Sequence, residues 1–147
     1  MMNIVDFNKI FDLENKNDPF LFKDEKVKVT NIDIQVAEKK IKVIFPHSYK
    51  EFVKFYGGGN IGYTNIFTPN SKNEFYIVTK NLEFQKTFNN HDFITISDDG
   101  TGGFYGYMIQ NLKCSESIYY FDHDENKISK KLYNNIYEYI IEIGLNL

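Results

Sequence analysis

The stretch at residues 93–107 constrains the fold more than any other part of the chain. It reads FITISDDGTGGFYGY: an apolar run, two carboxylates among glycines, and an aromatic run. Residues 93–96 suit a buried strand, and the acids and glycines that follow are typical of tight reversals. The sequence therefore predicts a β-hairpin whose turn carries Asp98 and Asp99.

The first third of the chain has helical spacing. Apolar residues at 3–15 predict an amphipathic helix, and residues 16–28 a connection. Thr30 and Asp33 form a capping-box pattern, which predicts a second helix that ends before Pro46. Pro46 suits the first turn of a third helix, and Gly57 suits its end.

In the rest of the chain, apolar residues first recur at every second position and then return to helical spacing. Strands are predicted at 63–68, 75–78, 93–97, 104–109 and 117–121, and residues 81–90 are ambiguous, with a short helix as one option. Apolar residues from Leu132 to Ile143 predict a closing helix after Ser129. This order predicts one α+β domain over residues 1–147, in which a mainly antiparallel sheet packs against helices in two layers.

Composition narrows the classes of function. The formal net charge is −3, and the seventeen basic residues are all lysines. Arginine is the side chain best suited to phosphate and guanine, so direct binding to nucleic acid is not expected. An AT-rich coding bias, which favours lysine and asparagine codons, would explain the absence of arginine equally well. The lone Cys114 cannot form an internal disulfide, and no long apolar run or basic leader is present, which favours a cytoplasmic protein without a membrane partner.

Three further patterns suggest chemistry but favour simpler interpretations. Cys114 and His123 could pair as nucleophile and base, yet no motif for an oxyanion hole accompanies them, so no catalytic residue is expected. Residues 122–126 begin like a calcium loop, but Lys127 and Tyr133 stand where such a loop needs glycine and glutamate, so no metal or cofactor is expected. The glycines at 57–59 follow a helix instead of a strand, which favours a helix stop over a phosphate site.

An acidic surface remains as the candidate site. If strands 93–97, 104–109 and 117–121 are neighbours, the turn at Asp98 and Asp99 meets the end of the third strand, where Asp122, His123, Asp124 and Glu125 follow. Carboxylates crowded at one edge favour a basic partner. Alternatively, they serve only their own turns and the solvent.

Six segments resemble, in order, the pattern of the SUKH superfamily. The helix that carries Ala37 and Glu38 resembles its first helix. Residues 45–52 resemble its Leu-Pro-x-x-Tyr-x-x-Phe signature, residues 57–59 its Asn-Gly-Gly, and residues 96–103 its acidic, glycine-rich loop. Residues 119–124 resemble its aromatic strand with an acidic exit, and residues 132–141 its closing helix. The resemblance covers about residues 36–143.

The resemblance implies an α+β fold and a binding role. Many bacterial members of this superfamily neutralise a toxin domain, often a nuclease, by binding it, and the fungal members are cell-wall regulators. The contact residues expected here are Asp98, Asp99, Tyr105, Asp122, His123, Asp124 and Glu125. Two alternatives stay open: a scaffold domain whose partner is not a toxin, and a ligand-binding or hydrolytic domain that uses His123 and the acids.

Overall fold

The computed structural model of the protein describes residues 1–19, 21 and 26–147, so part of the predicted connection at 16–28 lies outside the described residues. The helices are α1 (Ile4–Asn17), α2 (Asn31–Ile41), α3 (His47–Tyr56), α4 (Ile77–Phe88) and α5 (Ile136–Tyr139), and a π-helical turn (Ile140–Gly144) continues α5. The strands are β1 (Gly59–Ile61), β2 (Thr64–Ile66), β3 (Phe93–Asp98), β4 (Phe104–Gln110), β5 (Lys113–Cys114), β6 (Tyr119–Asp122) and β7 (Lys127–Ile128).

The first two helices begin where the sequence predicts. The Asn3 side chain accepts a hydrogen bond from the N–H of Asp6 and caps α1. The capping box at α2 is complete, because Thr30 accepts from the N–H of Asp33 and the Asp33 side chain accepts from the N–H of Thr30. Such pairs satisfy N–H groups that the first helical turn leaves free.

Gly57 ends α3 for a reason of backbone geometry. Its φ is +88°, in the region that favours glycine, and an added Cβ would lie 1.9 Å from the carbonyl oxygen of Val27. The chain can therefore leave α3 and pass close to residue 27 only because Gly57 has no side chain. This supports a helix stop at residues 57–59.

The strands form two antiparallel sheets. β1 and β2 make the smaller one, and the larger one has the order β3-β4-β6-β7, with β5 paired to the end of β4. In the larger sheet Asp98 lies opposite Phe104, and Phe104 lies opposite Phe121. The loop after β3 and the exit of β6 therefore lie at the same end of the sheet, as the sequence predicts.

Helices pack on both faces of the larger sheet. Phe104 and Tyr105 are neighbours on β4, so their side chains point to opposite faces. The ring of Phe84 in α4 lies 5.4 Å from that of Phe104, and the ring of Tyr139 in α5 lies 4.8 Å from that of Tyr105. The α+β class is confirmed, and α4 adds a third layer to the two that the sequence predicts.

Each face carries a core. The larger core contains buried residues from all five helices, among them Phe7, Ala37, Phe52, Ile77 and Tyr137. The smaller core consists of Phe84, Phe93 and Phe121, and the half-buried rings of Phe88 and Phe104 pack against it. Met108, Tyr119 and Ile128 also pack against it, so the α4 side of the sheet is rich in phenylalanine but not made of it alone.

The predicted strand at 75–78 is wrong, because α4 begins at Ile77. A short apolar run fits a strand or a buried helix equally well. The helical face is completed by Asn81 and Phe84, and buried Asn81 bonds the backbone of Thr95 through both its amide oxygen (2.8 Å) and its amide nitrogen (3.0 Å). The helix option at 81–90 is confirmed.

Two other boundaries also differ from the prediction. The strand predicted at 63–68 is only β2, and β1 precedes it in a glycine-rich segment. The closing helix begins at Ile136 and not after Ser129, since Leu132 donates to the carbonyl of Ile118 and Ile118 donates to that of Tyr133. Residues 129–133 therefore run beside the sheet, and Leu132 is exposed.

Candidate interaction surface

Asp98 and Asp99 organise the loop between β3 and β4. One carboxylate oxygen of Asp98 accepts from the N–H of Gly100 at 3.0 Å. Oδ1 of Asp99 accepts from the N–H groups of Thr101 (2.8 Å) and Gly103 (3.0 Å). The two acids therefore hold their own loop in shape, as the alternative interpretation of the sequence expects.

Tyr120 ties this loop to β6. Its hydroxyl donates to Oδ2 of Asp99 at 2.5 Å. Partial burial alone would raise the pKa of the Asp99 carboxyl, but this bond and those from the loop N–H groups outweigh it and lower that pKa. The same bond raises the pKa of the Tyr120 phenol well above its usual value. The loop position is therefore fixed by a charge-assisted bond across the sheet.

Gly103 makes room for this bond. A Cβ at Gly103 would lie 2.0 Å from the Tyr120 hydroxyl oxygen and 2.7 Å from Oδ2 of Asp99. Any side chain at this position would displace the tyrosine or the carboxylate. The absence of a side chain at Gly103 therefore allows the Asp99–Tyr120 bond.

The turn between β6 and β7 carries the second group of acids. Oδ1 of Asp122 accepts from the N–H groups of Asp124 (2.9 Å) and Glu125 (3.3 Å), and Nε2 of His123 lies 3.3 Å from Oδ1 of Asp124. Asp124 and Glu125 have side chains 83% and 65% exposed. Their charges therefore point into solvent.

The two acidic loops touch. An added Cβ at Gly102 would lie 3.0 Å from Nε2 of His123, so the imidazole stands against the first loop. We call the residues of both loops, Asp98, Asp99, Asp122, His123, Asp124 and Glu125, the acidic rim. The structure thus places these six residues, which the sequence predicts as contact residues, at one end of the sheet.

Tyr105 lies beside the rim on the α5 face of the sheet. Its ring lies 5.2 Å from that of Tyr120, its partner across the strands, with the two planes tilted by 58°. Burial first, and then the negative charges of Asp99 and Glu142, raise the pKa of its phenol. Tyr105 also lines a cleft of about 210 Å³ with Asp98, Asp99 and Gly100.

A second depression lies on the α4 side of the same loop. This aromatic groove, of about 560 Å³, has Phe84, Phe88 and Phe104 in its lining, together with the charged residues Lys80, Glu83 and Asp98. The sequence interpretation missed it because residues 75–78 were assigned to a strand and residues 81–90 were left ambiguous. The spacing of Ile77, Asn81, Phe84 and Phe88 is the signal that would have found it.

The two candidate catalytic residues, Cys114 and His123, lie far apart. Cys114 pairs with Ile109 and Phe121 with Phe104, so the thiol lies five residues along β4 from the rim, or about 16 Å. Burial, and then the charge of Glu38, raise the pKa of the Cys114 thiol to about 12, which disfavours a nucleophilic thiolate.

One side-chain cluster has metal-like spacing. Asp122, His123 and Asp124 each offer a ligand atom, and these atoms lie within 4.8 Å of one another. However, Asp122 already accepts two backbone N–H bonds and His123 contacts Asp124. These contacts are hydrogen bonds and an ion pair within the turn, and they account for the close spacing of the three side chains.

The fold and the surface together define a class of small α+β domains that present loops from one end of an antiparallel sheet. Residues 31–140 match the SUKH_6 family model, described as SMI1-KNR4 cell-wall. This match covers three quarters of the chain, and the protein therefore belongs to the SUKH superfamily. No curated protein matches the chain. Among the described residues, no helix is long and apolar enough to cross a membrane.

The family assignment confirms the resemblance drawn from the sequence. The matched segment contains α2, α3, α4 and the whole larger sheet. It also contains the acidic rim and the aromatic groove. Membership in this superfamily fits a role like that of an immunity protein.

Proposed function

We propose that the chain is a cytoplasmic immunity protein that binds a basic toxin domain, such as a nuclease, and blocks its active surface without catalysis. The observation that carries this proposal is the acidic rim. Two loops distant in sequence are held against each other, and each is fixed by its own hydrogen bonds. Fixed charges complement a partner without the cost of ordering flexible loops.

The expected partner follows from the chemistry of a nuclease. A protein that binds nucleic acid presents lysine and arginine side chains to phosphates. An acidic surface can occupy those side chains and can speed the encounter through long-range attraction. The exposed carboxylates of Asp124 and Glu125 suit this role better than Asp99, whose oxygens are occupied by its own loop and by Tyr120.

The first test asks whether a toxin is the partner. The tagged chain is co-expressed with the product of the gene adjacent to its own, and the pair is co-purified. We expect a stoichiometric complex and protection of cells that express the toxin. A folded chain that gives neither, but retains another protein of the cell, would instead support a scaffold role.

The second test asks whether the rim is the contact. The rim variant carries D98N, D122N, D124N and E125Q, which remove charge but keep an acceptor oxygen at each position. The control variant carries D6N, D12N, D92N and E74Q at exposed positions away from the rim, with the same change in charge. We expect the association rate of the rim variant to fall about tenfold at low salt and that of the control about twofold.

Equal losses in both variants would show that only net charge matters. Unchanged binding of the rim variant would place the contact elsewhere. The absence of catalysis is tested separately by Cys114→Ala, which should keep protection because a blocker needs no nucleophile. Loss of protection in a folded Cys114→Ala variant would refute pure binding.

A further inference from the structure

We propose that the aromatic groove binds a basic side chain of the partner, a lysine or arginine flanked by apolar residues, and is thus the specific pocket beside the acidic rim. This inference rests on the proposed function and deepens it, because it names the chemistry of the partner segment. Three features of the groove carry it.

The first feature is an apolar floor that the fold leaves partly open. Phe88 and Phe104 are only half-buried, although Phe88 packs at 4.9 Å from Phe121 and Phe104 at 5.4 Å from Phe84. Ring surface in contact with solvent at a concave site is the part of a surface that gains most from being covered. The floor fits the aliphatic stem of a long side chain.

The second feature is two carboxylates among the groove's lining residues. Glu83 stands on the exposed side of α4, and Asp98 stands at the end of β3. Oδ1 of Asp98 bonds Gly100, and a carboxylate has further acceptor positions beyond that bond. Lys80 also lines the groove, so two carboxylates stand against one lysine ammonium, and a bound cation would supply the second positive charge.

The third feature is a cation that the groove already holds at one end. Nζ of Lys80 lies 5.7 Å from the ring centroid of Phe67 and 5.9 Å from that of Phe75. Both distances are within the range of cation–π attraction. The groove therefore already places a lysine ammonium group over a phenylalanine ring, at its Phe67 end.

The test uses capped peptides and needs no toxin. The probe is Gly-Leu-Arg-Leu-Gly, and its controls carry Gln or Glu in place of Arg. Each is titrated into the ¹⁵N-labelled full chain while amide shifts are recorded. We expect the Arg peptide to shift amides of α4 and of the loop after β3, and to bind about tenfold more tightly than the Gln peptide.

Three variants localise the binding. E83Q with D98N removes the two carboxylate charges of the groove and should lower the affinity for the Arg peptide about tenfold. D124N with E125Q removes two rim charges outside the groove and should change that affinity less than twofold. Thr87 is exposed on α4 and lines the groove, so Thr87→Trp should fill it without altering the core and should abolish the shifts.

The proposal is overturned if the Arg peptide produces no shifts at millimolar concentration, if its shifts map to residues 122–126 alone, or if both double variants weaken it equally. Failure here and failure of the proposed function are distinguishable. If a toxin binds the rim but the Arg peptide does not bind, only the proposal for the groove is refuted. If the Arg peptide binds but no toxin partner is found, only the proposed immunity role is refuted.

Discussion

Replacing Tyr120 by phenylalanine removes one hydroxyl and tests how the acidic rim is held together. The ring can keep its place against Tyr105, since the two ring centroids lie 5.2 Å apart in a tilted contact. What is lost is the 2.5 Å bond to Oδ2 of Asp99. Asp99 then keeps the hydrogen bonds from Thr101 and Gly103 in its own loop.

The size of the effect follows from the kind of bond. A hydrogen bond to a charged group contributes roughly 1.5–3 kcal/mol when it is well buried. Both residues are partly exposed, so solvent screens the interaction and about 1 kcal/mol is expected at neutral pH. In a domain of this size that loss corresponds to a fall in Tm of about 3 °C.

The effect should depend on pH in a defined direction. The folded pKa of Asp99 is lowered, so its ionised form stabilises folding above the unfolded pKa of about 3.9, and this contribution is lost as pH falls through the folded pKa. Tyr120→Phe removes a large part of that lowering. The difference in stability between the wild type and Tyr120→Phe should therefore shrink between neutral pH and about pH 2.5.

Urea titrations at both pH values measure this difference. Tyr63→Phe is the matched control, because its side chain is 80% exposed and we expect no loss of stability at either pH. A Tyr120→Phe variant as stable as the wild type at neutral pH would refute the stabilising role of the bond. A loss of equal size at both pH values would refute its dependence on the Asp99 charge.

Three further predictions concern the backbone, the loop and the tyrosines. Gly57→Ala should lower the free energy of unfolding by more than about 2 kcal/mol in urea titrations, because its φ is positive and its Cβ meets the Val27 carbonyl; an unchanged midpoint would contradict the helix end described above. Gly103→Ala should lower Tm at least as much as Tyr120→Phe and should add little when combined with it, since both changes break one bond; additive losses would contradict this. Alkaline unfolding should begin near pH 10, where unfolded phenols ionise, because folding raises the pKa of many tyrosines, mainly through burial, and stability is lost as pH rises from the unfolded towards the folded pKa values; a Tm that stays constant to pH 11 would contradict it. These tyrosines are Tyr49, Tyr56, Tyr105, Tyr107, Tyr120, Tyr133, Tyr137 and Tyr139.

Features that depend on near neighbours in sequence were predictable. The capping box at Thr30 involves residues within one helical turn, so the pattern contains the whole interaction. The stop at Gly57 was predictable from its place directly after the helical stripe, whereas its close approach to Val27 was not. The order of β3, β4 and β6 was also predictable, because short connections between successive strands favour antiparallel neighbours. The proximity of the two acidic loops follows from that order.

Features that depend on distant contacts were not predictable. α4 was missed at its start because Phe75 and the residues after it fit a strand equally well, and the bonds that bury Asn81 in a helix come from Thr95 on β3. The bond from Tyr120 to Asp99 depends on the register of two strands, which the sequence alone does not specify. The aromatic groove needs α4 to pack on the sheet, and the sequence assigned residues 75–78 to a strand and left 81–90 ambiguous, so Phe84 and Phe88 were not placed on one helical face.

The loop after β3 lies between two depressions and contributes residues to both. Asp98 and Gly100 line both the 560 Å³ groove on the α4 side and the 210 Å³ cleft on the Tyr105 side. A substitution at Asp98 therefore alters the lining of both depressions at once. Tyr105 lines only the cleft and Phe104 only the groove, so substitutions at these two neighbours on β4 separate the two surfaces.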